Sequence, residues 1–204
     1  MFNQKKVLTN LTHLKLFYEG NHNKTYKGFF CDEVVQVRVA QNTIVNHKNE
    51  ILFLKNHNNT LYIDNSIMVR KWIPGNHLEK NDITTLKIIE KVLSKHWSIQ
   101  INNISFFDNN LDVNDLVLSH GDLRPKNIII NKGEAILIDF EWINYNSKYF
   151  DLSHLHLYCF FSIQDIVEVF NVDKDKLIKA IDDVTKFNER WEKKVYKKNL
   201  INRF

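Results

Sequence analysis

Apolar and polar residues alternate in several short segments along the first 73 residues, and this pattern predicts strands. Segments 11–17, 25–31 and 33–39 alternate in this way, and segments 60–64 and 66–72 flank the turn residues Asp64 and Asn65. Within this part, residues 43–56 carry apolar positions at helical spacing. The pattern therefore predicts an antiparallel sheet of five strands, with one helix after the third strand.

Helical spacing dominates the rest of the chain. A helix is predicted from Asn81 or Asp82 through Ile99, and others over 151–161, over 164–170 and after Asp173. Pro74 and Gly75 interrupt the pattern between the strand-rich part and the helical part. We therefore expect an α+β chain whose two parts join near residues 72–75.

One hairpin in the helical part carries a concentration of polar residues. Residues 116–118 predict a buried strand, and Pro125 prevents the polar loop 119–127 from continuing as a helix. Strands are predicted over 128–130 and 135–138, around a turn at 131–134. The hairpin should bring polar and acidic side chains to the same end of a small sheet, namely His120, Asp122, Asn127, Asp139 and Glu141.

Phosphoryl transfer requires this combination of groups. One carboxylate meets the acceptor hydroxyl, and a second carboxylate with an amide holds Mg²⁺ against the phosphates. The segments H-G-D-L-R-P-K-N and I-D-F-E reproduce the kinase pattern H-x-D-x-x-x-x-N with a later D-F-x. We predict Asp122 as the catalytic residue, and Asn127 and Asp139 as metal ligands. Asp122 could instead cap a turn, but five matching positions across two motifs disfavour that alternative.

Gly121 and Glu141 occupy positions where protein kinases have Arg and Gly. With these residues the segments resemble the aminoglycoside phosphotransferases and choline kinases, whose motifs are HGDLxxxN and IDFE or IDWE. The resemblance covers roughly residues 20–155 and implies a protein-kinase-like two-lobe fold. It implies a small antiparallel β N-terminal lobe with one helix (1–73) and a mainly helical C-terminal lobe (74–204). His120 would brace the loop, and Asp151 would be a buried structural acid.

The resemblance extends into the N-terminal part. The segment G-N-H-N-K-T-Y-K resembles the choline kinase segment G-x-T-N-x-x-Y, which would cover the nucleotide phosphates, although a plain hairpin explains one glycine equally well. Arg38 stands where kinases keep a phosphate-binding cation; taken alone, it would more often be a solvated strand residue. Residues 72–73 would form the hinge that binds adenine. The implied nucleotide-binding residues are Gly20, Asn23, Arg38, Glu50, Trp72 and Ile73.

The acceptor side is predicted from aromatic residues. The segment N-Y-N-S-K-Y-F-D resembles the choline and ethanolamine kinases, and a quaternary ammonium binds aromatic faces beside an acid. The candidates are Glu141, Trp142, Tyr145 and Trp191, with Tyr149 and Tyr196 in addition. Glu141 could instead contact the metal, and each aromatic residue is more often part of a core.

These residues together predict an ATP- and Mg²⁺-dependent kinase that phosphorylates a hydroxyl group, with choline or a related amino alcohol as acceptor. Thiamine or aminoglycoside phosphorylation is the enzymatic alternative, and a catalytically inactive nucleotide-binding pseudokinase is the other.

Composition limits the partners and the location. The net charge of +4 suits an anionic ligand, and the basic residues of the last helix fit a solvated face, so we expect no nucleic-acid partner. The apolar stretch 152–163 is too short to span a bilayer, and no apolar segment follows Met1. Cys31 and Cys159 are expected to be reduced and buried, as in a cytoplasmic protein. The sequence does not determine the oligomeric state.

Overall fold

The computed structural model describes residues 4–20, 22–43, 45–55, 57–107 and 112–201, with side chains described up to residue 190. Its first part, which we call the N-terminal lobe, consists of α1 (Gln4–Thr9), β1 (Leu11–Glu19), β2 (Asn23–Phe30), β3 (Glu33–Ala40), α2 (Lys48–Leu54), β4 (Thr60–Ile63) and β5 (Ile67–Lys71). The five strands form one antiparallel sheet in the order β1-β2-β3-β5-β4. The predicted sheet is confirmed.

The two faces of this sheet have different chemistry because side chains alternate along each strand. Val35 and Val37 of β3 pack in an outer apolar cluster, which Val7 of α1 helps to cover. The intervening residues Gln36 and Arg38 therefore lie on the opposite face, which is directed toward the rest of the chain. The alternation thus places polar groups where a ligand can meet them.

The second part, which we call the C-terminal lobe, is mainly helical and contains two small sheets. The sheets have the strand orders β6-β8-β9 and β10-β7, and Ile129 pairs with Ile136 in the predicted hairpin. The elements are β6 (Asn76–His77), α3 (Ile83–Trp97), β7 (Leu116–Ser119), β8 (Ile128–Asn131), β9 (Glu134–Leu137), β10 (Asn144–Ser147), α4 (Lys148–Leu157), α5 (Ile163–Phe170) and α6 (Lys174–Ile201). The core is formed by side chains that are fully buried, such as Leu86, Leu118, Ile128, Leu152 and Leu177. The predicted α+β, two-lobe kinase-like fold class is confirmed, and the division at residues 73/74 stays a prediction.

Local capping explains where two helices differ from the prediction. α2 starts at Lys48 rather than near residue 43, because the Asn46 side chain accepts the Lys48 N–H in a turn (3.0 Å). α4 starts before residue 151, because the Ser147 hydroxyl accepts the Tyr149 N–H (3.3 Å) and so caps the helix. α1, β6 and β10 were not predicted.

Two further expectations concern the surface of the molecule. Cys159 is buried, as expected, but Cys31 is exposed because it lies in the tight turn between β2 and β3. No described helix combines the length and the apolar character needed to cross a membrane.

His96 makes the stability of the C-terminal lobe sensitive to acid. Its ring is 4% exposed, lies 5.3 Å from the ring of Phe53 and 5.5 Å from that of Phe140, and its Nε2 has no hydrogen-bond partner among the described residues. Burial, and secondarily the nearby His120, lower the pKa of His96 to about 4. The unfolded chain therefore takes up this proton first, and stability present above pH 6.5 is lost as the pH falls toward 4.

We expect the free energy of unfolding in urea to fall more steeply between pH 7 and pH 5 in the wild type than in His96→Phe. Each pKa unit of difference between the folded and unfolded states corresponds to about 1.4 kcal/mol. Parallel pH dependence in the two proteins would contradict this assignment.

Candidate active site

A cleft of about 1040 Å³ lies between the polar face of the N-terminal sheet and the C-terminal lobe. Most of the predicted site residues line it, although they come from distant parts of the chain. These are Gly20, Asn23, Arg38, Glu50, Trp72, Ile73, Asp122, Asn127, Asp139, Glu141 and Trp142.

Asp122 is held in a fixed orientation on the loop after β7. The Asn127 side-chain amide donates both to the Asp122 carbonyl (2.8 Å) and to its Oδ2 (3.0 Å). Arg124 Nε donates to the other carboxylate oxygen, Oδ1 (2.7 Å). Because the amide nitrogen of Asn127 is engaged in these bonds, its Oδ1 atom is the group left for a cation.

The loop that carries Asp122 is anchored by Asp151 of α4. Asp151 Oδ1 accepts from Ser119 Oγ (2.9 Å) and from the Gly121 N–H (3.0 Å). Its Oδ2 accepts from the His120 N–H (3.0 Å) and from Trp97 Nε1 (2.9 Å). The residue is fully buried, so four donors surround a charge that has no access to solvent or substrate.

His120 and Gly121 fix the same loop to its neighbours. His120 Nδ1 accepts the Asp122 N–H (3.3 Å), so the ring proton lies on Nε2 and is donated to the Ile138 carbonyl (3.0 Å). Gly121 has φ +81°, and a Cβ there would lie 2.2 Å from the Trp142 carbonyl oxygen. Only glycine fits this position. The His120 bond to Ile138 and the close approach of Gly121 to Trp142 hold the Asp122 loop against the segment around Asp139.

Arg38 connects the two sides of the cleft. Its guanidinium contacts Glu50 of α2, Asp139 Oδ1 (3.0 Å) and Glu141 Oε1 (3.3 Å). Asn23, which follows the turn after β1, donates to the same carboxylate of Glu141. The sheet and the segment 139–141 are therefore joined by one buried cation and one amide.

The electrostatics of this cluster distinguish its acids. Burial acts to raise the pKa of Glu50, but Arg38 and His47 outweigh it and hold that pKa at about 2. Burial, reinforced by the neighbouring Asp139, raises the pKa of Glu141 to about 7. Glu50 is therefore a permanent anion, whereas Glu141 is poised to gain or lose a proton near neutral pH.

The donor set suits Mg²⁺. Asn127 offers an amide oxygen, and Asp139 offers a carboxylate whose side chain is 34% exposed toward the cleft. Asp139 has φ +67°, in the left-handed region, which aspartate adopts more readily than most residues. No cluster of three or more His, Cys, Asp or Glu side chains arranged to hold a metal occurs in the described ranges. Mg²⁺ does not need one, because it is commonly held by one or two carboxylates together with water and phosphates.

No protein-family model matches the chain. An uncharacterized protein of Metamycoplasma hominis is 27% identical over 212 residues, which covers 95% of this chain. The chain spans only 42% of the length of that relative.

Several solved structures resemble the chain in fold. Choline kinase LicA from Streptococcus pneumoniae aligns with a TM-score of 0.62 and 18% identity, over 82% of this chain and 77% of its own. LicA in complex with AMP gives a TM-score of 0.59, 17% identity and coverage of 80% and 75%. A Plasmodium vivax ethanolamine kinase aligns with a TM-score of 0.60 and 16% identity, over 84% of this chain and 70% of its own. A spectinomycin phosphotransferase in complex with ADP and spectinomycin aligns with a TM-score of 0.59 and 13% identity, over 83% of this chain and 78% of its own.

The chain has the fold of the choline kinases and aminoglycoside phosphotransferases. The resemblance predicted from the motifs is confirmed at this level.

Within this kinase-like fold, the far end of the cleft differs from the prediction. Tyr145 does not line it: in β10 the alternate residue Asn144 faces the cleft, while the Tyr145 ring stacks on Phe106 and its hydroxyl bonds the Ile101 carbonyl (3.3 Å). Tyr149 is buried, and its hydroxyl accepts the Asp173 N–H (3.1 Å). The predicted substrate contacts of these two tyrosines are therefore wrong.

Residues other than Tyr145 and Tyr149 line the far end of the cleft. The side chains of Trp191 and Tyr196, on α6, lie outside the described part of the structure. The described wall is aromatic and contains one buried histidine. It is formed by Phe107, Trp142, Phe150, His154, Phe187 and Asn188. No motif marked these positions in the sequence, and Phe187 repeats at helical spacing with Leu177, Ile181 and Val184 in α6.

Replacement of Asp151 by asparagine should weaken the whole loop. The variant places an NH₂ group against N–H donors, and loss of a buried charged acceptor typically costs about 1.5–3 kcal/mol. We expect urea unfolding, followed by tryptophan fluorescence, to show a loss of this size. Glu168→Gln changes an exposed acid outside the cleft and should leave the midpoint unchanged; equal stability of both variants would argue against the anchoring role.

Proposed function

We propose that the chain is a small-molecule kinase that transfers a phosphoryl group from ATP to a hydroxyl group, with Mg²⁺ as cofactor. One observation carries the proposal: Asp122, Asn127 and Asp139 line a single cleft together with the Arg38–Glu50 pair. This is the set of groups that phosphoryl transfer uses, a carboxylate for the acceptor hydroxyl, oxygen ligands for Mg²⁺ and a cation for the phosphates.

The donor nucleotide occupies the side of the cleft below the sheet. The turn from Gly20 to Asn23 is closed by a Gly20 N–H to Asn23 carbonyl bond (2.9 Å), and it borders the cleft above Asp139 and Glu141. Arg38 supplies a fixed cation there. The likeness to LicA with AMP and to spectinomycin phosphotransferase with ADP supports a nucleotide at this place.

Asp122 then acts on the acceptor hydroxyl. Its carboxylate accepts the hydroxyl proton as the oxygen–phosphorus bond forms and the bond between the γ-phosphorus and the β–γ bridging oxygen breaks. Asn127 and Arg124 hold the two carboxylate oxygens, so an acceptor must take over the Oδ1 position now bonded by Arg124. Mg²⁺, when bound by Asn127 and Asp139, would neutralise charge on the phosphates.

The aromatic wall supports an amino alcohol such as choline as acceptor. Trp142, Phe107 and Phe187 line the same cleft as Asp122, and aromatic rings bind an ammonium group. Thiamine and aminoglycosides carry the same combination of a hydroxyl and a cation, and they are the second choice. Because the donor is ATP, we place the enzyme in the cytoplasm.

Asp122→Asn should abolish transfer while nucleotide binding persists. Loss of a general base typically costs about 10²–10⁴-fold in kcat. The measurement is nucleoside diphosphate release with choline, ethanolamine, thiamine or an aminoglycoside as acceptor, alongside a nucleotide titration.

Asp183→Asn, an exposed aspartate of α6, is the matched control and should retain full activity. Loss of nucleotide binding with unchanged turnover would contradict the role given to Asp122. Nucleotide binding without turnover on any acceptor, in the wild type, would favour a pseudokinase.

A further inference from the structure

His154 of α4 is a buried histidine at the far end of the cleft. It is 4% exposed and lines the cleft together with Phe107, Phe150 and Phe187. The centre of its ring lies 4.7 Å from that of Phe150 and 5.2 Å from that of Tyr158, one helical turn to either side. A phenylalanine would pack against these rings equally well, so packing does not explain why the residue is a histidine.

The imidazole of His154 has no hydrogen-bond partner within the described part of the protein. Its Nδ1 is buried and unpaired, and neither ring nitrogen is bonded by a residue of the described ranges. Buried N–H groups without an acceptor are rarer in proteins than unpaired acceptors, so the ring proton is assigned to Nε2 rather than to the buried Nδ1. Because the residue lines the cleft, this Nε2–H is the group that a ligand can reach.

α4 follows the loop that carries Asp122, and successive turns of the helix contact successive residues of the loop. Near the start of the helix, Asp151 accepts the Gly121 N–H (3.0 Å). At its end, the guanidinium of Arg124 lies over the ring of Tyr158, 4.3 Å from the ring centre. Helix and loop therefore run alongside each other in the same direction.

This register places His154 beside Asp122. His154 is three residues after Asp151 and four before Tyr158, so the three side chains lie on one face of α4. The middle of that face is opposite the middle of the loop, where Asp122 is located. Both side chains line the same cleft, so a group bound by Asp122 lies next to the imidazole.

The imidazole is neutral at physiological pH. Burial lowers the pKa of His154 to about 4 and outweighs the opposing effect of Asp151 and Asp122. Arg124 and His120 lower this pKa further, by smaller amounts. A neutral ring does not repel a cationic acceptor, and it keeps the same protonation state across the neutral range.

We propose that His154 binds the acceptor hydroxyl together with Asp122: Nε2–H donates to the hydroxyl oxygen while the Asp122 carboxylate accepts the hydroxyl proton. The inference rests on the proposed phosphoryl transfer and adds to it a residue that contacts the acceptor. It applies to choline and to any other alcohol acceptor, because it concerns the hydroxyl group that all of them share.

The oxygen of an alcohol can make both contacts and still react. It has two lone pairs, of which one accepts the N–H of His154 and the other attacks the γ-phosphorus of ATP. The hydroxyl proton passes to Asp122, the oxygen–phosphorus bond forms, and the bond between the γ-phosphorus and the β–γ bridging oxygen breaks to release ADP. His154 neither gains nor loses a proton, and its contribution is to hold the attacking oxygen in place.

Two substitutions of equal length separate the hydrogen bond from packing. His154→Gln retains an N–H group near the position of Nε2, whereas His154→Met has none. We expect kcat/KM for the acceptor to fall about three- to tenfold in His154→Met, the effect of one hydrogen bond, and by no more than about twofold in His154→Gln. Equal losses in the two variants, or wild-type values in both, would overturn the inference.

The measurement uses choline, ethanolamine, thiamine and an aminoglycoside as acceptors, with saturating ATP and Mg²⁺. The loss in His154→Met should appear with every acceptor that is phosphorylated, and KM for ATP should not change. Turnover that His154→Met leaves intact would overturn this inference alone. Absence of turnover on all four acceptors in the wild type would overturn the proposed function and this inference with it.

The pH dependence distinguishes a hydrogen-bond donor from a catalytic base. Since His154 stays neutral, the ratio of wild-type to His154→Met activity should be constant between pH 6 and pH 8. A base must lose its proton to act, so a ratio that rises with pH would show that His154 itself titrates and would contradict the role given to it.

His156→Met is the matched control and should retain the wild-type kcat/KM. His156 belongs to the same helix, but its Nδ1 bonds the Phe161 carbonyl (2.9 Å) and it is not among the residues that line the cleft. Melting temperature and the binding of fluorescent N-methylanthraniloyl-ADP should be the same in the wild type and both His154 variants. A lowered melting temperature together with weakened nucleotide binding in His154→Met would identify a structural role and refute the proposed contact.

Discussion

The arrangement of the cleft depends on one buried guanidinium. Arg38 projects from the sheet and contacts Glu50 of α2 together with Asp139 and Glu141 of the C-terminal lobe. Removal of Arg38 would leave the buried carboxylate of Glu50 without its guanidinium partner, a change that typically costs several kcal/mol. The contacts therefore hold the segment 139–141 at a defined position below the sheet, and the alternation of β3 directs Arg38 to that position.

The environment of each acid determines what it can do. Asp151 is fully buried and accepts four hydrogen bonds, so it has no free capacity for a substrate and serves to hold the loop. Asp122 and Asp139 have side chains that are 16% and 34% exposed, and both border the cleft. Three aspartates in one small region thus have different capacities because of burial and hydrogen bonding.

Local pattern and motif spacing were sufficient for the sheet, the hairpin and the residues that meet in the cleft. The strand β10 was not predictable from periodicity, because Asn144–Ser147 has no apolar alternation and forms by pairing with β7. Without its register, the sequence could not show that Asn144 rather than Tyr145 faces the cleft. The aromatic wall combines Phe107, Phe150 and Phe187, which helix packing brings together from segments far apart in sequence. The position of Arg70 could not be predicted for a similar reason, because only the pairing of β5 with β3 shows that it shares a face with Arg38.

The two arginines of the sheet show how the cleft can be stable when empty and still bind a highly charged ligand. Arg38 occupies Oδ1 of Asp139, which leaves Oδ2 for a metal ion. Burial and the neighbouring Asp139 raise the pKa of Glu141 to about 7, which sets it apart from Glu50, whose pKa Arg38 and His47 hold at about 2. Arg70 bonds Gln36 (2.6 Å) rather than a carboxylate, and Asp139 and Glu50 act on it only at longer range, where they partly oppose the lowering of its pKa by burial and by Arg38. Strand alternation therefore places both arginines on the cleft face of the sheet, where Arg38 joins the sheet to the segment 139–141 and Arg70 is bonded within the sheet by Gln36.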